Sequence, residues 1–457
     1  MRSLVVWVTC LILANVASVR AQTPIGPPGF TPGHSEEPLP TIPAPSNLFS
    51  GSGEDESVET FSNTDLGTRK TSRSGSTLNR GRVFQIPSAA PLVFAADEPP
   101  LPLIWFKGEA LYWWSKGSSI PIPIVTLGDP SDSIPGAIGQ PGTAVLIGDQ
   151  TLGPPAKGGA RFTFGFSFDS ARTWGFEAAY FSLAKSYVSQ GVFSDGSNGS
   201  GLLAFPFFNP VTNSEDSTPI ALPGSFAGTA VLTSKSFLQG ADFNLMHNVL
   251  NGDGVRVEWL GGFRYANLQE GLNFSTDSPN VFPNPPAFFR TFDQFNTNNN
   301  FYGGQLGLRA SFDSPLIFVN ATTKLAVGGS FESVNVSGGT FTNIGGGFAS
   351  APGSYLSQPT NLGSTSQGNF AVMPEFNLNL GIRLRPWASI IVGYSFLYLS
   401  SVARPGDQLD RVINPSQASA ISNNFPASLV GSARPELNLR TTDFWAQGLN
   451  FSLEFRF

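Results

Sequence analysis

Ten segments of this chain alternate apolar and polar residues, and the connections between them alternate strictly between short and long. These segments are predicted strands at 103–116, 159–169, 172–186, 231–247, 254–268, 300–313, 316–336, 370–385, 387–402 and 444–457. Tight turns rich in Gly, Asn, Asp and Pro are predicted at 169–172, 251–254, 313–316 and 385–387. Long loops without secondary structure are predicted at 117–158, 187–230, 269–299, 337–369 and 403–440.

This order of connections constrains the fold. A compact soluble domain rarely holds five structureless loops of more than thirty residues. An up-and-down barrel in an outer membrane has short periplasmic turns at one end and long extracellular loops at the other. We therefore predict an all-β fold in which residues 103–457 form a transmembrane, antiparallel barrel of about ten strands.

The side chains of the predicted strands indicate that each strand has two faces of different polarity. In the segment 161–169 every second residue from Phe162 to Phe168 is phenylalanine, and the residues between them are polar or glycine. Successive side chains of a strand point to opposite faces, so such a strand has one apolar and one polar face. The whole chain has 40 Phe and only 13% charged residues, which favours strands. A soluble sandwich would alternate in the same way, so the connection lengths decide for the barrel.

Charged residues of the predicted strands fall opposite the apolar set. Arg or Lys in the middle of the lipid face costs about 2–4 kcal/mol, which favours an inward orientation. The candidate lumen-lining residues are Lys107, Glu109, Glu177, Arg256, Glu258, Arg264, Arg309, Lys324, Glu375 and Arg383. We expect ion pairs across the interior rather than a catalytic carboxylate pair. Tryptophans near strand ends are predicted to lie at the membrane interfaces: Trp113, Trp114, Trp387 and Trp445.

The N-terminus has the features of a secretory signal peptide over residues 1–21. Arg2 precedes an apolar stretch, and Ala21 closes a small-residue cleavage site. Cleavage there would remove Cys10, which is the one cysteine of the sequence, and would leave 24 basic and 32 acidic residues. This acidic balance gives no support to nucleic-acid binding. Residues 22–102 are rich in Pro, Gly and Ser and lack hydrophobic periodicity, so we predict a flexible periplasmic extension. Its charges are assigned to solvation, with contact to the cell wall as the alternative.

Several segments resemble a β-barrel porin family of bacteria, the porin-7 type. The resemblance is carried by the runs at 108–114, 139–148, 262–270, 300–309 and 373–381, and above all by V-G-Y-S-F-L-Y-L-S-S-V-A-R-P-G-D-Q-L-D-R at 392–411. It covers nearly all of the predicted barrel and implies an outer-membrane location, lipid as the surrounding partner and a pore. The last strand also resembles the terminal signal that barrel-assembly machinery recognises, through Phe451, Leu453, Phe455 and Phe457.

Two functions follow from this reading. Eight strands leave a filled interior and sixteen to eighteen leave a water channel, so ten strands lie near the filled end. The first hypothesis is a narrow or gated pore for small polar solutes or ions. The alternative is a structural or surface-interaction barrel with a filled lumen that displays long extracellular loops. No cofactor or enzyme activity is predicted, because the two histidines, His34 and His247, lie in the extension and beside a turn.

Overall fold

The computed structural model describes residues 103–169, 171–252, 254–281, 287–344, 346–421 and 428–457. The predicted signal peptide and extension, residues 1–102, lie outside the described residues. Within the described ranges, no helix combines the length and apolar character needed to cross a membrane.

Sixteen strands are numbered here in chain order. They are β1 (Ile104–Ser115), β2 (Ser118–Gly128), β3 (Ala144–Leu152), β4 (Lys157–Ser167), β5 (Trp174–Leu183), β6 (Ser186–Ser194), β7 (Leu202–Asn209), β8 (Ser214–Ala221), β9 (Gly228–Gly252), β10 (Val255–Pro279), β11 (Phe288–Asp313), β12 (Ile317–Ile344), β13 (Gly347–Pro352), β14 (Gly363–Arg385), β15 (Ala388–Ala403) and β16 (Thr441–Arg456).

Ten of these strands close into a ring. Its order is β1, β4, β5, β9, β10, β11, β12, β14, β15 and β16, with antiparallel pairing throughout. The ring closes where β16 pairs with β1, with Lys107 opposite Glu454 and Trp113 opposite Gly448. Each ring strand overlaps one predicted strand, and the four predicted turns join neighbours of the ring. The predicted all-β barrel of ten strands is therefore confirmed.

The outward face carries an apolar band that ends at tyrosines. On β11 this band runs from Phe312 near the turn to Tyr302, ten residues away. At about 3.3 Å per residue and a tilt of about 45°, ten residues cover about 23 Å, close to the ~25 Å apolar height of outer-membrane barrels. Beyond it, outward tyrosines donate to amides of a neighbouring strand, as Tyr265 Oη does to Asn300 Oδ1 at 3.1 Å. The membrane-spanning part of β11 is therefore 302–312.

A charge placed inside this band should destabilise the barrel. Leu306 is 60% exposed on the outward face of β11. We expect Leu306→Arg to lower the free energy of unfolding in lipid vesicles, measured by urea titration, by about 2–4 kcal/mol. Gln294→Arg is the matched control, because Gln294 faces outward on the same strand beyond the tyrosines; a change of about 0.5 kcal/mol or less is expected there. Equal costs at the two positions would contradict the assigned lipid band.

One predicted long loop is replaced mainly by strand. Residues 269–279 continue β10 and 288–299 belong to β11, so the expected loop 269–299 shrinks to 280–287. The pairing continues in register from Gln269 opposite Asn298 to Pro279 opposite Phe288. The outward residues here are mostly Asn, Gln, Ser and Gly. The outward face here therefore lacks the apolar residues by which the other strands were recognised in the sequence.

The prediction that the other long loops lack secondary structure is also wrong in part. The first loop contributes β2 and β3, and the second contributes β7 and β8, which together form a four-stranded sheet in the order β3-β2-β7-β8. The fourth loop adds β13 to the edge of β12, and the fifth joins the small sheet through a bridge between Phe208 and Val412. The extracellular end is thus a folded assembly, held by a hydrophobic cluster shared by the loops and the upper strands.

Candidate functional site

The ten charged residues predicted to line the lumen all lie on inward-facing positions of the ring strands. They occupy β1 (Lys107, Glu109), β5 (Glu177), β10 (Arg256, Glu258, Arg264), β11 (Arg309), β12 (Lys324) and β14 (Glu375, Arg383). Their side chains are at most 19% exposed. Alternation turns these side chains inward, and their positions along the strands place them in the half of the barrel that holds the short turns, which is the periplasmic half.

All ten of these side chains belong to two continuous chains of ion pairs. The first links, in order, Lys107, Glu109, Arg161, Glu375, Arg264, Asp242 and Lys324. Arg161 on β4 lies 3.9 Å from Glu375 on β14, which also pairs with Arg264 on β10. These three strands are not neighbours in the ring. The ion pairs therefore cross the lumen rather than run along its wall.

The second chain lies nearer the turns. It links Glu177, Arg309, Glu258, Arg256, Asp313 and Arg383. Arg309 donates from one nitrogen to both oxygens of Glu177, at 2.8 and 2.9 Å, and lies 3.5 Å from Glu258. This charge-assisted pair holds the two side chains against each other. It joins β5 to β11, two strands separated by β9 and β10.

Sequence reasoning missed three members of these chains. Arg161 was placed on a polar face but left out of the lumen set, although its parity could have included it. Asp242 lies on β9, whose alternation is weak, and Asp313 was assigned to a turn. Arg161 also stacks over Trp113 and Phe181, at 5.2 and 5.7 Å from the ring centres.

A cavity of about 140 Å³ lies among these charges. Trp105, Arg172 and Trp174 line it at the level of the turns, and Phe181 lines it deeper in the barrel. Eight basic and five acidic side chains face it, so its lining has a basic surplus. No group of three or more His, Cys, Asp or Glu side chains that could hold a metal ion occurs in the described ranges.

An apolar layer covers the inner end of this cavity. Nine of the ten ring strands contribute to it: Leu111, Trp113, Phe181, Leu183, Leu238, Ala266, Leu268, Phe301, Ala326, Ala371, Met373, Leu397, Leu399, Val402, Phe444 and Ala446. Trp113 is fully buried here, and its Nε1 donates to Asn450 Oδ1 at 2.7 Å. The prediction that Trp113 is an interfacial aromatic is therefore wrong, because its parity is that of Glu109 and not that of its neighbour Trp114.

The remaining aromatic positions face outward. Trp387 is 53% exposed at a turn and stacks on Phe455 with ring centres 6.2 Å apart. Trp114 and Trp445 are half-buried and share the outward parity of their strands. Phe451, Leu453 and Phe457 expose about half or more of their side chains to the surroundings of the barrel; their recognition by assembly machinery stays a prediction.

Above the apolar layer, a loop segment fills the extracellular half of the lumen. Residues 353–358 are all buried. Tyr355 stacks on Phe205 of the small sheet at 4.8 Å and contacts Phe274 of β10 at 6.2 Å. Leu356 belongs to the same hydrophobic cluster. Side chains from the wall, the small sheet and this segment thus form one continuous core.

The end of the segment 392–411 ties several loops to the wall. Arg404 donates to both carboxylate oxygens of Glu270 on β10 at 2.8 Å and to Gly117 O at 2.6 Å. Arg411 donates to Glu215 on β8, and Gln408 donates to the carbonyl oxygen at the end of the fifth loop. The Arg-Pro-Gly-Asp-Gln run was recognised in the sequence, but without these partners its role could not be assigned.

A family model decides the affiliation of this chain. The family described as "Putative beta barrel porin-7" matches residues 105–457, which include the complete ring. The chain belongs to this family. Members of this porin-7 family are outer-membrane β-barrels, and the present chain is accordingly an outer-membrane protein of a bacterium, as predicted. No protein of curated function matches its sequence.

Several solved structures are similar to this porin-7 chain. The protease OmpT from Escherichia coli has 10% identity and a TM-score of 0.35, covering 78% of this chain and 96% of that one. The toluene transporter TodX from Pseudomonas putida has 10% identity and a TM-score of 0.19, covering 80% and 91%. A Pseudomonas aeruginosa FadL homologue has 7% identity and a TM-score of 0.21, covering 79% and 91%. Similarity at this level carries no argument about activity.

Proposed function

We propose that this protein is a closed outer-membrane barrel that presents a folded assembly of extracellular loops at the cell surface, with no catalytic step. The observation that carries the proposal is the filling of the lumen by three successive layers. Ion pairs cross the periplasmic half, an apolar layer spans the middle, and the loop core occupies the extracellular half. The proposal follows the surface-interaction alternative of the sequence analysis.

The apolar layer is the main barrier to an ion. An ion that leaves water for surroundings such as Phe301, Met373 and Phe444 loses its hydration without gaining a polar partner, which costs far more than thermal energy. The layer is built from side chains of the barrel wall, and the wall is fixed by its strand pairing. Displacing the loops alone would therefore leave this barrier in place.

A narrow or gated pore for small polar solutes or ions is the second candidate. The periplasmic cavity with its basic surplus favours this function, because it would admit small anions from the turn side. Conduction would additionally require that both the apolar layer and the loop core separate.

Electrical recording in planar bilayers distinguishes the two candidates. For the closed barrel we expect no stepwise conductance from the purified protein, while an open porin reconstituted in the same way shows that the bilayer accepts barrels. A variant with residues 353–358 replaced by glycine and serine should also be silent, because the apolar layer remains. Discrete steps from the unmodified protein would overturn the proposal, and steps from the loop variant alone would identify a gated pore.

A further inference from the structure

One buried carboxylate holds the loop segment 353–358 inside the lumen. Asp293 lies on the inward face of β11, nine residues beyond Tyr302 and therefore outside the membrane-spanning part. Its Oδ1 accepts three hydrogen bonds, from Leu356 N at 3.1 Å, Ser357 N at 2.7 Å and Ser357 Oγ at 2.5 Å. The hydrogen bonds of Leu356 and Ser357 to the barrel wall thus end on a single oxygen atom, whereas Gly353 at the start of the segment is bonded to Gly338 and Thr340 of β12.

The surroundings of this carboxylate offer no counter-charge. Asp293 is fully buried, and its second oxygen, Oδ2, has no hydrogen-bond partner. None of the ion pairs among the described residues includes it. Around it stand Phe274 and Thr276 from β10, Gly338 from β12, and Ser354 and Tyr355 from the segment. Of these five residues, Tyr355 is the one with a titratable side chain. Burial raises the pKa of its hydroxyl group above the ordinary value, so Tyr355 stays neutral.

We propose that Asp293 is a pH-sensitive latch: the segment 353–358 docks most firmly when this carboxyl group is protonated and loosens when it ionises. Docking encloses Asp293, whereas release of the segment returns it to water at the extracellular mouth. A lone carboxylate is costly to bury without a cation. The ionised form therefore favours the released segment, while the neutral acid keeps an acceptor for the amides and gains a proton that Oδ2 can donate.

The pH range follows from the two states. Burial, partly offset by the hydrogen bonds from Ser357, raises the pKa of docked Asp293 to about 6, against about 3.9 for a solvated aspartate. The stability that the protonated carboxyl group adds to docking is fully present below the pKa of the solvated group. It is lost as the pH rises through the pKa of the docked group. Docking should thus be about 50-fold more favourable at pH 4 than at pH 7.

The latch regulates the loop assembly of the proposed function. Its test measures docking by hydrogen exchange, whereas closure is measured by conductance, so either can fail without the other. The readout is the protection of the Leu356 and Ser357 amides in the full chain, held in lipid and corrected for the intrinsic pH dependence of exchange. Their protection should rise about 50-fold from pH 7 to pH 4, while β11–β12 ladder amides stay constant.

Three variants separate the latch from general effects. Asp293→Asn keeps the size and one acceptor oxygen, so protection should become independent of pH and at least equal the wild-type value at pH 7. Asp293→Ala removes the acceptor of all three donors and should lower protection at every pH. Asp277→Asn, an exposed acid on the adjacent strand, should keep the wild-type profile. A flat wild-type profile, or a slope that persists in Asp293→Asn, would overturn the proposal.

Discussion

Replacing Arg264 by alanine should lower the free energy of unfolding by about 3–5 kcal/mol, the cost of removing one partner of a buried ion pair. Arg264 is 1% exposed, pairs with Glu375, lies 3.9 Å from Asp242 and donates to Gln305. Its loss leaves Glu375 buried in the lumen with Arg161 at 3.9 Å as its remaining ion-pair partner, beside Lys324 on the paired strand and the amide of Asn377. Urea unfolding of the barrel in lipid vesicles measures the effect.

An exposed arginine supplies the control. Arg290 on the outward face of β11 pairs with Asp277 at 3.0 Å, but both side chains are more than 40% exposed. Arg290→Ala should therefore cost about 1 kcal/mol or less. The double variant Arg264→Met with Glu375→Met removes the charges together, and should cost less than Arg264→Ala because Arg161 keeps Glu109 and Asp242 keeps Lys324. A double variant as costly as the summed single variants would refute the coupling.

Trp113→Ala should destabilise the barrel by a similar amount, about 3–5 kcal/mol, for a different reason. The substitution opens a cavity in the apolar layer, removes the ring over which Arg161 stacks, and leaves Asn450 Oδ1 without its donor. Trp113→Phe keeps most of the volume and loses the indole hydrogen bond, so we expect about 1–2 kcal/mol. Trp387→Ala, at a position 53% exposed, should cost clearly less. A small effect of Trp113→Ala would show that the layer is loosely packed.

The sequence predicted the wall of the barrel because alternation and turn residues are local signals. The turn at 385–387 and the alternation of 444–457 each depend on a few neighbouring residues, and both were placed correctly. Parity along a strand is equally local, so the inward face of Arg264 or Glu375 could be assigned before any partner was known. Trp113 and Trp114 show that residue type alone does not predict orientation. Only the parity along the strand tells which of the two adjacent tryptophans faces the lumen.

The contents of the lumen could not be predicted in the same way. The pair of Arg161 and Glu375 joins residues 214 positions apart, and the small sheet joins strands of two different loops. Such contacts depend on the three-dimensional course of the chain, and neither residue type nor spacing encodes them. The upper parts of β10 and β11 were missed because amides and serines face outward there, so the outward face lacks the apolar residues that marked the other strands.

The length of β11 determines where a partner would first touch this protein. From Tyr302 to the end of the strand at Phe288 the wall continues for fourteen residues, which at about 3.3 Å per residue and a tilt of about 45° amounts to about 33 Å. Along β9 to β12 the wall therefore extends farther beyond the lipid band than the height of the band itself, whereas β1, β4 and β5 have 12 residues or fewer. An approaching macromolecule would contact the folded loop assembly well before it reached the lipid. Accessible epitopes should therefore map to the small loop sheet rather than to the strand segments beside the membrane.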